Sequence, residues 1–143
     1  KTENAALPKH PILKKIIKDF EVISVDGTYE VLTEVFVTNV AKGLCGQIDR
    51  LLIVSRENKI CRVQDYKINV DCEKIDVNEK LKAPFNTLPG NKLSKYQVQM
   101  SFYGSLLEDS GWTIEGIDAF VLEDEWKKYS LDNISSTIRA IAL

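Results

Sequence analysis

The segment from residue 43 to residue 69 most constrains the fold, because it reads as two apolar strands joined by a tight turn. Gly43 and Gly46 are predicted to bracket a turn, which is followed by the strands QIDRLLIVS and ICRVQDYKI, and the residues ENK connect these two strands. Both strands nevertheless carry charges, Asp49 in the first and Asp65 and Lys67 in the second. A buried charge costs several kcal/mol unless it is paired or bound to a metal. This placement therefore requires a physical reason.

Hydrophobic periodicity predicts the remaining elements. A short helix and a long strand precede the segment, and a region with little periodicity, residues 70–91, follows it. Next come a long helix ended by Gly111, a strand, a polar strand and a short helix. This order predicts an α+β or α/β core rather than a bundle or a sandwich, with three consecutive strands forming an antiparallel meander. The predicted ranges are 11–20 for the first helix, about 30–40 for the first strand, 92–111 for the long helix and 112–124 for the later strand.

Length and composition exclude several classes of protein. A chain of 143 residues predicts a single domain over residues 1–143. Three cysteines without a CxxC spacing indicate neither a disulfide framework nor a four-thiolate metal site, and we expect a cytoplasmic location. No apolar run approaches the roughly 20 residues that cross a bilayer, so no membrane association is predicted. The chain opens at Lys1 without a methionine, and we expect that part of the N-terminus is missing.

The three charged residues are predicted to meet at one place. Asp65 and Lys67 are two residues apart, so an extended chain points both to the same side of the sheet. Asp49 and Asp65 lie eight and seven residues from the turn, which makes them neighbours across the hairpin. Two adjacent carboxylates repel each other, and a hard cation such as Mg²⁺ relieves that repulsion. With an ammonium beside it, such a site suits metal-assisted hydrolysis of a phosphodiester.

Three short motifs also carry a resemblance to a known family. Residues 46–49 (GQID), 65–67 (DYK) and 99–103 (QMSFY) resemble the GxxD, (D/E)xK and QxxxY motifs of the PD-(D/E)XK nuclease superfamily. The chain is most similar to its RecB-like exonucleases and their phage relatives, over roughly residues 30–123. The resemblance implies a restriction-endonuclease-like core, in which a central mixed sheet is flanked by helices. It also implies a Mg²⁺-dependent deoxyribonuclease, either an exonuclease or an endonuclease.

The resemblance further implies roles for individual residues. Asp49 and Asp65 would bind the catalytic Mg²⁺ or Mn²⁺, with the backbone carbonyl of Tyr66 as a third ligand. Lys67 would position or activate the attacking water. Glu34, on the preceding strand, would be an outer carboxylate that binds a second metal or its waters.

The implied substrate is DNA, single- or double-stranded, processed in phage or in recombination and repair with a helicase or recombination partner. Gln99 and Tyr103, one helical turn apart, would hold the nucleic-acid strand. Family members often supply another metal ligand from an upstream helix, where this chain offers only His10, Asp19 and Glu21. None matches convincingly, so the missing N-terminal region is a candidate source of that ligand.

Two alternatives stay open at the level of sequence. Asp49 could form a structural ion pair with Arg50, Arg62 or Lys67 instead of binding a metal. On the long helix, Tyr96 lies at helical spacing and is expected in the core. The whole chain could instead be a catalytically silent nucleic-acid-binding or scaffold subunit with the same fold. The three charged residues Asp49, Asp65 and Lys67 argue against that alternative, because a silent copy need not retain all of them.

Overall fold

A computed structural model describes residues 29–68 and 71–141 of the chain. The chain separates into two compact units, Lys1–Glu30 and Val31–Leu143. The helix predicted over residues 11–20, with the three upstream ligand candidates, lies outside the described residues. The prediction of a single domain over residues 1–143 stays a prediction.

The described part of the chain is an α+β fold in which two helices flank a five-stranded mixed sheet. No helix within it is both long enough and apolar enough to cross a membrane. The elements are β1 (Glu30–Asn39), β2 (Leu44–Ser55), β3 (Ile60–Ile68), α1 (Lys92–Asp109), β4 (Thr113–Leu122), β5 (Trp126–Leu131) and α2 (Ser135–Arg139).

The strands lie in the sheet in the order in which they occur in the chain, β1-β2-β3-β4-β5. β2 and β3 are antiparallel, as the hairpin prediction requires, and β4 and β5 are also antiparallel. β3 and β4 are parallel, a pairing that needs a crossover connection, and α1 lies in that connection. The sheet is therefore mixed, with β3 between an antiparallel and a parallel neighbour.

The two glycines around the start of β2 have different roles, and only that of Gly43 agrees with the prediction of a turn. Gly43 adopts a φ of 66° after the short 3₁₀ helix Val40–Lys42, a conformation that glycine adopts without a steric penalty. Gly46 lies within β2, so the prediction that it brackets a turn is wrong. β2 begins at Leu44, earlier than hydrophobicity predicts. The pattern misses this start because Gly46 has no side chain that could indicate a face of the sheet.

The long helix α1 covers one face of the sheet. Its first turn is capped by Asn91, whose side-chain oxygen accepts a hydrogen bond of 2.9 Å from the Ser94 amide. It ends before Gly111, which has a φ of 93°. Met100 and Leu107 are buried in the core.

The core lies between α1 and the sheet face presented by alternate residues of β3. Cys61 and Val63 are buried on that face, and Val63 is aligned with Ile117 of β4. The next two residues in the same row are Asp65 and Lys67. One face of β3 thus changes from apolar to charged within four residues.

Candidate functional site

The site lies where β2 and β3 stop pairing. The last aligned residues are Arg50 and Gln64, and one further step in the same register sets Asp49 opposite Asp65. Like charges directly opposite each other destabilise a strand pair. The ladder ends at this step, and the two carboxylates occupy the opening between the strands.

Both carboxylates bind the same backbone amide. The Tyr66 N–H donates to Asp65 Oδ1 at 2.9 Å and to Asp49 Oδ2 at 3.3 Å. A backbone N–H that loses its ladder partner needs another acceptor. The Tyr66 ring lies near Phe120 and Trp126, and its hydroxyl accepts from Arg50.

Lys67 completes the cluster. Its Nζ lies 2.9 Å from Asp65 Oδ2 and donates to Gln99 Oε1 at 3.3 Å. The same ammonium lies 5.0 Å from the centre of the Tyr96 ring. The predicted convergence of Asp49, Asp65 and Lys67 is therefore present, and α1 supplies the other two partners of the ammonium.

The predicted nucleic-acid-binding residues are adjacent, but their side chains are partly engaged within the protein. Gln99 Nε2 donates to the Tyr103 hydroxyl at 3.1 Å, while its oxygen accepts from Lys67. The Tyr103 ring packs on the backbone of Gly46: a Cβ atom there would lie 2.6 Å from ring carbon Cδ1. Contacts thus run from Gly46 through Tyr103 and Gln99 to Lys67.

The electrostatics of the cluster centre on Asp65. Burial raises the pKa of its carboxyl, and the neighbouring Asp49 raises it further. Lys67 opposes the increase but does not cancel it, so the pKa is about 7 instead of 3.8. Near neutral pH, the Asp65 carboxyl is therefore only partly ionised, even with the Lys67 ammonium beside it.

The structural ion pairs considered for Asp49 are absent from the described part of the chain. Asp49 forms no ion pair there, and Arg62 instead binds Asp118 on the opposite face of the sheet. Lys67 pairs with Asp65 rather than with Asp49. A simple ion pair therefore does not account for Asp49.

The predicted outer carboxylate, Glu34, is not brought into the cluster. Glu34 is exposed on β1 with a φ of 53°, and its side chain makes no hydrogen bond or ion pair with the residues that the structure describes. Those residues contain no group of three or more His, Cys, Asp or Glu side chains able to hold a metal ion. Two carboxylates, those of Asp49 and Asp65, are the side chains in the cluster that could bind a metal. The Tyr66 carbonyl as a third ligand stays a prediction.

Comparison with known proteins does not identify this chain. No protein-family model matches the sequence, and no curated protein matches it.

Two residues contact the site in a way that the sequence does not predict. Tyr96, predicted in the core, is partly buried against it and also faces the Lys67 ammonium. Gly46, predicted at a turn, lies within β2. The signals for both were present in the sequence, since Tyr96 precedes Gln99 by one helical turn and Gly46 opens the GQID motif.

Proposed function

We propose that this chain is a metal-dependent nuclease domain of the PD-(D/E)XK type, with a restriction-endonuclease-like core. It hydrolyses DNA phosphodiester bonds in phage or in recombination and repair. The observation that carries the proposal is that Asp49 and Asp65 share the Tyr66 amide while Lys67 contacts Asp65. When both carboxylates are ionised, the Lys67 ammonium compensates only one of the two negative charges. The combination of carboxylates and an ammonium suits metal-assisted phosphoryl transfer.

The two carboxylates fit a divalent cation. Their oxygens are hard donors, and the pKa of Asp65, raised first by burial and then by the neighbouring Asp49, shows that the ionised carboxylate is disfavoured in the absence of a cation. Mg²⁺ is commonly bound by one or two carboxylates together with substrate phosphates and water, so a larger protein ligand set is unnecessary. Asp49 and Asp65 would hold the ion, which when bound would polarise a phosphoryl oxygen and lower the pKa of a bound water.

The other side chains have distinct tasks in the proposed reaction. The Lys67 ammonium stabilises the charge that develops on the phosphorane and orients the attacking water. Gln99 holds that ammonium through its carbonyl oxygen. The Tyr103 hydroxyl accepts from Gln99, which leaves its own proton for a phosphate oxygen of the bound strand.

The test is cleavage of linear single-stranded DNA, double-stranded DNA and RNA with Mg²⁺, Mn²⁺ or EDTA. Asp49→Asn and Asp65→Asn should each lower cleavage at least about 100-fold, more than loss of an outer-shell partner does. Lys67→Met should lower turnover about 100- to 1,000-fold while Mn²⁺ still binds in calorimetry. The ammonium acts on water and phosphate, whereas the carboxylates act on the cation.

Matched controls are available on the same sheet. Lys127→Met removes a lysine from β5, and Glu115→Gln removes an exposed carboxylate from β4. Both variants should cleave like the wild type. Cleavage that persists in EDTA or in the double aspartate variant would refute the mechanism. A wild-type protein that binds Mn²⁺ and nucleic acid but cleaves nothing would establish the silent-subunit alternative.

A further inference from the structure

We propose that Tyr96 is a positioning residue that fixes the Lys67 ammonium through the face of its ring. This inference rests on the proposed function, because it concerns the geometry of a group that acts on the phosphate. The supporting observation is the 5.0 Å distance from Lys67 Nζ to the centre of the Tyr96 ring. A cation at that distance from an aromatic ring is attracted by the negative charge of the ring face.

Three different groups surround the ammonium. Asp65 Oδ2 lies 2.9 Å away on the same strand, and Gln99 Oε1 lies 3.3 Å away on α1. Tyr96 is the third, three residues before Gln99 on the same helix, so α1 presents both groups from one face. A lysine side chain has a flexible four-carbon stem and gives little directional specificity unless its surroundings supply it.

The two α1 groups differ from Asp65 in one important respect. When a cation neutralises the Asp65 carboxylate, the attraction between that carboxylate and Lys67 weakens. The Tyr96 ring and the Gln99 amide oxygen carry no net charge for a cation to neutralise. They therefore hold the ammonium in place when the metal is bound, which is when the reaction requires it.

A second lysine–tyrosine pair gives an internal comparison. Lys127 Nζ lies 4.8 Å from the centre of the Tyr129 ring on β5, almost the same distance. The Lys127 side chain is 57% exposed, whereas that of Lys67 is 25% exposed. Cation–π attraction is stronger where the cation is partly desolvated. The Lys67 pair should therefore hold its ammonium more firmly than the surface pair does.

The contact can be measured without any nuclease activity. In ¹³C-labelled protein without added metal, the Cε–Hε signal of Lys67 is assigned by its loss in Lys67→Arg. The ring current of Tyr96 should shift this signal upfield of the signals of lysines that have no aromatic neighbour. The shift should persist in Tyr96→Phe, which keeps the ring, and disappear in Tyr96→Leu. Tyr129→Leu should leave it unchanged.

The role in positioning is measured by kinetics on DNA with Mg²⁺. Tyr96→Leu should lower kcat about 10- to 100-fold with a smaller change in KM, because misplacing a reacting group slows the chemical step. Tyr96→Phe should restore kcat, and Tyr129→Leu should match the wild type. If Tyr96→Leu melts below the assay temperature, Tyr96→Met replaces it, since its unbranched side chain suits the same helical position.

The outcomes separate this inference from the proposed function. An unshifted Lys67 signal in the wild type, or a kcat in Tyr96→Leu equal to that of Tyr96→Phe, would overturn the positioning role. A wild type that shows the ring-current shift but cleaves no nucleic acid would overturn the proposed function, and the positioning role in that reaction with it. A selective loss of kcat together with loss of the shift supports the inference.

Discussion

The Asp65 carboxyl combines three opposing influences within one strand position. Burial and the nearby Asp49 raise its pKa, and the Lys67 ammonium lowers it. The balance leaves the pKa at about 7, so the metal-free protein keeps a proton that the unfolded chain releases at much lower pH. A group of this kind links the stability of the fold both to pH and to cations.

We predict that the metal-free protein loses stability as the pH rises from about 4 to about 7 because of Asp65. The folded state binds the proton throughout this window while the unfolded state does not, so the contribution is fully present at lower pH. In Asp65→Asn this slope should be absent, and the variant should be more stable than the wild type at pH 8 by about 1 kcal/mol or more. Urea unfolding in EDTA from pH 4 to pH 8 measures the difference.

A second variant and a cation check the cause of this slope. Asp49→Asn removes the neighbouring carboxylate and should reduce the slope without abolishing it, because burial remains. Mn²⁺ should stabilise the wild type at pH 8 by binding the folded state, and should stabilise Asp65→Asn much less. An equal pH dependence in the wild type and Asp65→Asn would contradict the assignment.

At the scale of elements, the contact between α1 and β2 determines where the helix presents its polar residues. Tyr103 packs on the bare backbone of Gly46, and its hydroxyl accepts from Gln99. A close approach of this kind is possible only where the strand residue lacks a Cβ. The glycine of the GQID segment is therefore explained by helix packing rather than by a turn.

We predict that Gly46→Ala destabilises the protein by about 1–3 kcal/mol, because the new methyl group overlaps the Tyr103 ring. It should also lower cleavage, since displacement of Tyr103 disturbs Gln99 and through it Lys67. In a Tyr103→Ala background, the same Gly46→Ala change should cost almost nothing in stability. Urea unfolding of the four proteins in this double-mutant cycle measures the coupling. Equal costs in both backgrounds would show that the contact is unimportant.

At the scale of the whole molecule, the two faces of the sheet differ in how fully their buried carboxylates are compensated. The face toward α1 carries the unbalanced cluster around Asp65. The opposite face carries Asp118, which is fully buried and accepts hydrogen bonds from Arg62, Gln64 and Ser130. Burial alone would raise the pKa of Asp118, but the hydrogen bonds from Arg62 and Gln64 lower it. This second carboxylate is balanced within the protein and joins β3, β4 and β5.

We predict that Asp118→Ala destabilises the protein by about 3–5 kcal/mol, because the largely buried Arg62 guanidinium loses its buried partner and keeps only the exposed Glu115. Asp109→Ala, which removes an exposed partner of Arg139, should cost only about 0–1 kcal/mol. Asp65→Ala should behave unlike both, with stability in EDTA at pH 8 unchanged or increased. Denaturation curves of the three variants under the same conditions distinguish a structural carboxylate from a site carboxylate.

Local sequence patterns were sufficient for most of the elements. The range of β3, the start of α1 and the polar strand after β4 all follow from periodicity, capping and glycine, which depend on neighbouring residues. The meeting of Asp49 and Asp65 was also predictable, because a short hairpin turn fixes the register of the two strands. The start of β2 was not predictable, since Gly46 has no side chain whose polarity could indicate a face of the sheet.

The tertiary structure alone decided which charges meet which partners. Arg62 and Asp65 are three residues apart on β3, so they lie on opposite faces of the sheet. The partner of Arg62 is Asp118 on β4, and this contact depends on which strands are neighbours in the sheet. The approach of Tyr96 and Gln99 to Lys67 depends on how α1 lies across the sheet, a long-range packing outcome that spacing along the chain does not encode. The raised pKa of Asp65 depends in the same way on burial and register together. The sequence by itself determined the strands, the helix and the residues that could form a site, whereas the environment of each charge came from contacts between elements.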